Sequence, residues 1–175
     1  MSRVLVTGGA GFMGSQLVRS LAAAGFDVVV LDKLTYAGNR AFLEGVDHQL
    51  IVGDVCEAQD VRGALNGVDA VIHMAAESHV ARSLNDPDVF LKTNVMGTRV
   101  MLTEACQAGI ERFIHISTDE VFGAAPVDVA FGPLSPLAPG NAYAASKVAG
   151  EALVHAWRHT PVSYTHLTLP TICSV

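Results

Sequence analysis

The chain has 175 residues, half of them apolar and 16% charged, the composition of a folded globular domain rather than a disordered segment. Its 11 Lys and Arg against 17 Asp and Glu leave a net charge of −6, which argues against nucleic acid or an anionic membrane surface as the main partner. No stretch approaches the ~20 apolar residues of a membrane span, and Met1-Ser2-Arg3 runs straight into Val4-Leu5-Val6 with no secretory leader pattern. Cys56, Cys106 and Cys173 show neither disulfide nor zinc spacing, so they read as reduced thiols of a cytoplasmic protein.

In chain order, residues 4–7 read as a short buried strand. Residues 11–24 follow as a helix carrying Gly14, Leu17, Val18 and Leu21 on one face and stopping near Gly25. FDVVVLD at 26–32 is a second strand, apolar enough to be covered on both faces. Further strands are predicted at 49–53, 69–74 and 112–117. Helices are predicted at 57–65, 88–107 (with Met96 and Met101 as packing residues) and 141–159. Strands alternating with helices imply right-handed crossovers and a parallel sheet, here in the order 3-2-1-4-5 with helices on both faces. A loop at 123–140 holds Pro126, Pro133, Pro136 and Pro139. Residues 1–160 form one domain. The string VSYTHLTLPT at 162–171 resembles one reading frame of a common transposase-based sequencing adapter, so 161–175 reads as a non-native tail.

Glycines at 8, 11 and 14 lie directly after the first strand and open the first helix. Such glycines permit a tight turn and close approach of backbone to a pyrophosphate, and Gly14 would let helix and sheet pack closely. The helix N-terminus then presents unpaired N–H groups to phosphate. Asp32 ends the second strand, where a carboxylate accepts both ribose hydroxyls of an adenosine and repels a 2′-phosphate. The pattern predicts a Rossmann-like, doubly wound α/β domain that binds NAD in preference to NADP, with Lys33 beside Asp32 pulling the other way.

Tyr143 and Lys147 form a YxxxK pair, one turn apart on a single helix face. A neighbouring ammonium and a positive nicotinamide ring would favour the phenolate, a base for a substrate hydroxyl. Ser117-Thr118-Asp119-Glu120 falls where the fifth strand ends, the side of an open α/β sheet that holds ligands. The two acids either divide the work of a general acid and a general base, or one caps a helix while the other is solvated. His73, inside the fourth strand, reads as a core histidine. His79 either lines the site or does not. His48, His115, His155 and His159 form no metal pattern, and no metal is expected.

These motifs together resemble the extended short-chain dehydrogenase/reductases, and more narrowly the dTDP-glucose 4,6-dehydratases. The resemblance rests on VTGGAGFMGS at 6–15, LDKLTYAGN at 31–39, AAESHVARS at 75–83, STDEVFG at 117–123 and YAASK at 143–147. It implies that Phe12, Met13, Asp32, Lys33, Leu34, Thr35, Asp54, Val55, Met74, Ala75, Ala76, Glu77, Ser78, Thr93, Tyr143 and Lys147 contact NAD. Ser78 and Thr118 would touch the sugar, Asp119 would be the acid and Glu120 the base. The implied reaction converts dTDP-glucose to dTDP-4-dehydro-6-deoxyglucose and water, with transient oxidation by a retained NAD. The sequence departs from the family at Ala81, where Asp is usual, and at Phe122, where Tyr is usual.

Members of that family continue into a smaller domain that grips the nucleotide-sugar. The resemblance therefore implies a truncated N-terminal fragment with little or no turnover of its own, and a homodimer at full length through the helices at 88–107 and 141–159. Two other readings stay open. One is another NAD-dependent nucleotide-sugar epimerase, decarboxylase or dehydratase; the other is a non-catalytic NAD-binding module.

Overall fold

The computed structural model describes residues 2–128 and 130–159. The tail at 161–175, with Cys173, lies outside the described residues. Five parallel strands form one sheet in the order β3-β2-β1-β4-β5: β1 Arg3–Thr7, β2 Asp27–Asp32, β3 Gln49–Val52, β4 Ala70–His73 and β5 Arg112–His115. The α/β doubly wound architecture and its strand order are those the sequence predicts.

The period-two alternation of the strands sends side chains into two cores. Leu5, Val29, Leu31, Val71 and Phe113 face one layer, packed against α2 (Ala58–Ala64), α5 (Thr98–Gln107) and Val154 of α6 (Ala142–His159). Val4, Val6, Val28 and Val30 face the other, against Val18 of α1 (Phe12–Ala23) and Leu43. Burial on both sides explains why these strands read as continuous apolar runs rather than alternating ones.

Helix α1 starts on Gly11 with no side-chain cap, so its first amides are left for the space above the sheet. It ends where Gly25 enters the left-handed region at φ 85°. Gly25 N–H then bonds to Ala22 and Phe26 N–H to Leu21, a Schellman closure that turns the chain into β2.

Helix 88–107 is where expectation and structure diverge. The helical run begins at α4 (Pro87–Phe90), passes through a π-helical stretch at Leu91–Gly97 and becomes α5. The wider turn carries Asn94 inward, where it is buried. Met101 packs as predicted, whereas Met96 is 49% exposed, because the π stretch shifts the helix face. A short helix α3 (Val80–Asn85) precedes the run. Six residues are too few for a periodic signal, and the sequence reading has no helix there.

Candidate active site

A cleft of about 970 Å³ opens at the carboxyl ends of the strands. Its floor is the turn after β1. Gly8 sits at φ 71°, and a Cβ there would come within 2.8 Å of the Ala75 Cα. A Cβ on Gly14 would be driven into the Gly8 carbonyl. Both glycines are therefore required where the sequence places them, but the division of labour differs from expectation. Gly9 is the residue that lets helix and sheet meet, since its Cβ would lie 2.8 Å from Val30 of β2 and 3.2 Å from Val18 of α1. Gly14 instead seats the helix on the turn. Phe12 and Met13 also line the cleft and stay largely exposed.

Asp32 stands at one wall, held by two backbone amides: Ala10 N–H donates to Oδ2 at 2.9 Å and Leu34 N–H to Oδ1 at 2.8 Å. Each carboxylate oxygen has a lone pair to spare for a ligand hydroxyl. Lys33, Thr35, Asp54 and Val55 line the same wall. Leu34 does not. Its backbone turns left-handed at φ 54° and its side chain packs into the apolar layer under α1, so its part is to fix Asp32 through its amide.

The opposite wall is Met74, Ala75, Ala76, Glu77 and Ser78. A buried hydrogen-bond chain holds it. Met74 and Ala75 both donate to Thr7 Oγ1, so the Thr7 proton goes to His73 Nδ1 at 2.7 Å. That assigns the His73 proton to Nε2, which donates to Thr98 Oγ1 at 3.1 Å, and Thr98 donates to the Asn94 carbonyl. The Asn94 side chain clamps Glu77 through both its N–H and its carbonyl and donates to Ser146, whose hydroxyl bonds to the Tyr143 carbonyl. His73 is thus a core histidine, and burial lowers its pKa to about 3. His79 caps α3, is exposed and stands outside the cleft lining.

Thr118, Tyr143 and Lys147 converge on the cleft, with Thr93 of the π stretch. Lys147 is 4% exposed and donates to the Ile116 carbonyl at 2.5 Å. Burial lowers its pKa to about 8, against a smaller opposing pull from Glu151. The Tyr143 phenol is half-buried, and its pKa is raised rather than lowered. Desolvation is the largest cause, the charges of Glu120 and Asp119 add to it, and contact with Thr118 pulls the other way. Lys147 Nζ is hydrogen-bonded to the Ile116 carbonyl. Asp119 and Glu120 sit on a 3₁₀ turn (Asp119–Phe122) beside the cleft rather than in its lining; Glu120 accepts from Asn141 at 2.8 Å. Among the described residues no group of three or more His, Cys, Asp or Glu could hold a metal ion, and no helix is long and apolar enough to cross a membrane.

The sequence matches the NAD dependent epimerase/dehydratase family over residues 4–175. The chain belongs to that family. It is 45% identical over 168 residues to the dTDP-glucose 4,6-dehydratase of Streptomyces niveus, covering 90% of this chain and 50% of that one. Among solved structures, the dTDP-glucose 4,6-dehydratase DesIV of Streptomyces venezuelae, with NAD and TYD bound, superposes at a TM-score of 0.89. It is 44% identical and covers 95% of this chain and 53% of its own. The UDP-glucose 4-epimerase of Thermus thermophilus, complexed with NAD, reaches a TM-score of 0.88 at 32% identity, covering 98% of this chain and 54% of its own. The chain therefore spans about half the length of the curated relatives it matches.

Within this family member, the cleft also uses residues the sequence reading omits. Tyr36, after β2, carries the Arg82 guanidinium over its ring at 4.2 Å, and Arg82 also pairs with Glu77 at 3.1 Å. The pair joins the β2 side of the cleft to the β4 side. Ile116 completes the lining near Lys147 beside Ser117, which the sequence already sets at the end of the fifth strand and which is bonded to Glu151. No local signal marks Tyr36 and Arg82 as partners, since they meet only through the fold.

Proposed function

We propose that these residues form the NAD-binding half of a nucleotide-sugar 4,6-dehydratase acting on dTDP-glucose. The observation that carries this reading is Tyr143 at the cleft with Thr118 against it and the Asp119–Glu120 pair beside it. NAD fits the cleft: Gly8 and Gly14 leave a cradle that a Cβ would fill, and Asp32 is held at the wall with acceptor capacity free. Bound there, NAD would take a hydride from the sugar and return it. Tyr143 takes the proton of the C4 hydroxyl, and Thr118 and Ser78 hold the sugar. With C4 as a ketone, the C5 proton is acidified. Glu120 removes it and Asp119 protonates the departing C6 hydroxyl, so that water leaves. Asn141 holds Glu120 on one side, which leaves its second oxygen for the C5 proton.

Titration of the 175-residue chain with NAD, followed by Tyr and Trp fluorescence, tests the cofactor part, and saturable binding is expected. In the full-length protein, Glu120→Gln should abolish water loss, whereas an epimerase would hardly respond. Unchanged elimination in Glu120→Gln would overturn the dehydratase reading, and a chain that binds no NAD would overturn the cofactor part. The whole protein is proposed to be cytoplasmic, free of nucleic acid and a homodimer through the 88–107 and 141–159 helices; sedimentation tests the last point. Residues 1–160 are read as the truncated domain, and 161–175 as non-native. An assay of the 175-residue chain should give little product, and sequencing of the locus from independent DNA should give a different continuation after His159.

A further inference from the structure

Cofactor choice in this cleft depends on more than Asp32. Lys33 follows it directly and lines the same wall, where a lysine ammonium is the kind of group that receives a 2′-phosphate. Its side chain is 57% exposed, yet its Nζ lies 2.6 Å from Asp54 Oδ2. Asp54 is itself immobilised. Its side chain is 14% exposed, its Oδ1 accepts from Cys56 N–H at 2.9 Å, and its own N–H donates to Asp60 Oδ2 at 2.9 Å. A flexible cation is thus tethered to a fixed anion. The ion pair raises the Lys33 pKa and lowers that of Asp54, although burial alone would push the carboxyl up.

We propose that Asp54 is a second specificity-determining residue: it holds Lys33 away from the ribose 2′ position, so that NADP meets the Asp32 carboxylate without a compensating cation. The proposal rests on the NAD-binding reading above and gives Asp54 a task beyond the cofactor contact that the family resemblance implies. Asp32 rejects the 2′-phosphate by repulsion, and Asp54 withholds the cation that would offset it.

The test is a comparison of NAD and NADP dissociation constants for the parent chain, Asp54→Asn, Lys33→Ala and the double variant. Asparagine keeps the oxygen that accepts from Cys56 but cannot hold an ammonium as an ion pair. Asp54→Asn should tighten NADP about fivefold to tenfold relative to NAD, the scale of one charge-assisted contact. The gain should fade at high salt. Lys33→Ala alone should leave the NADP:NAD ratio unchanged, because the ammonium is already withheld, and the double variant should lose the gain. A parent chain that binds neither dinucleotide overturns the NAD-binding reading together with this one. A parent that binds NAD, with an Asp54→Asn ratio equal to the parent's, overturns this proposal alone. So does a Lys33→Ala variant that weakens NADP relative to NAD, and that arm stands even if Asp54→Asn does not fold.

Discussion

Lys147 Nζ donates to the carbonyl oxygen of Ile116 at 2.5 Å, tying the second turn of α6 to the residue that leaves β5. The bond sets the depth of α6 above the sheet. It also keeps an ammonium in a nearly solvent-free place, which is why its pKa falls to about 8. The unfolded chain binds the Lys147 proton up to its ordinary pKa of about 10.5, while the folded chain releases it near 8. Between those values the unfolded state holds more protons, so stability rises with pH across that window. Urea denaturation at pH 7.5 and 9.5 should show the rise, and Lys147→Met should remove it. An equal slope in both proteins would rule out the buried ammonium as its source.

Gly8 and Gly25 share a left-handed backbone but not a neighbourhood. A Cβ on Gly25 meets nothing within 4 Å, whereas one on Gly8 strikes the Ala75 backbone. Gly25→Ala should therefore cost only the conformational term, about 1 kcal/mol. Gly8→Ala adds a clash with the opposite cleft wall and should cost about 2–4 kcal/mol, with NAD binding lost in parallel. Equal losses in denaturant melts would refute the steric part.

What was legible in the sequence follows from what is local. The sheet order, the turn glycines and Asp32 depend on spacing along one or two elements, and a strand covered on both faces announces itself by composition. Gly9, Leu34 and the π stretch were not legible, because their roles depend on atoms supplied by other elements: Val30 and Val18 around Gly9, the apolar layer under α1 for Leu34, and the inward turn of Asn94. The surroundings of Tyr143 depend on other elements in the same way. YxxxK spacing puts phenol and ammonium on one face but cannot say that Lys147 donates to the Ile116 carbonyl or that the charges of Glu120 and Asp119 raise the phenol pKa.

Thr7 carries three partners on one hydroxyl, accepting from Met74 and Ala75 and donating to His73. Thr7→Val keeps the shape and orphans all three, which should destabilise by about 2–4 kcal/mol. Thr7→Ser keeps the hydroxyl and loses one buried methyl, at about 1 kcal/mol. If the two variants melt alike, the hydroxyl contributes nothing beyond packing.

His115 offers the opposite case. It is 2% exposed, and among the described residues neither ring nitrogen has a hydrogen-bond partner. It lies against the His73 ring at 5.4 Å and close to Gly150, where a Cβ would come within 3.1 Å of Nε2. Burial, with Lys147 and His73 nearby, holds its pKa well below the ordinary 6.5. An apolar side chain of similar size removes the orphaned nitrogens, so His115→Leu should be neutral or stabilising by up to about 1 kcal/mol at pH 7. Below pH 6.5 the unfolded chain gains a proton at this residue that the folded chain refuses, and the parent loses stability. The leucine variant has no such proton to gain, so its advantage should widen by up to about 1.4 kcal/mol per pH unit as pH falls from 6.5. His73 stays in both proteins and its own acid loss cancels in the difference. Urea melts at pH 7.0 and 5.5 decide the matter: a variant weaker by about 2 kcal/mol at pH 7, with no widening at pH 5.5, means the ring is satisfied and earns its place.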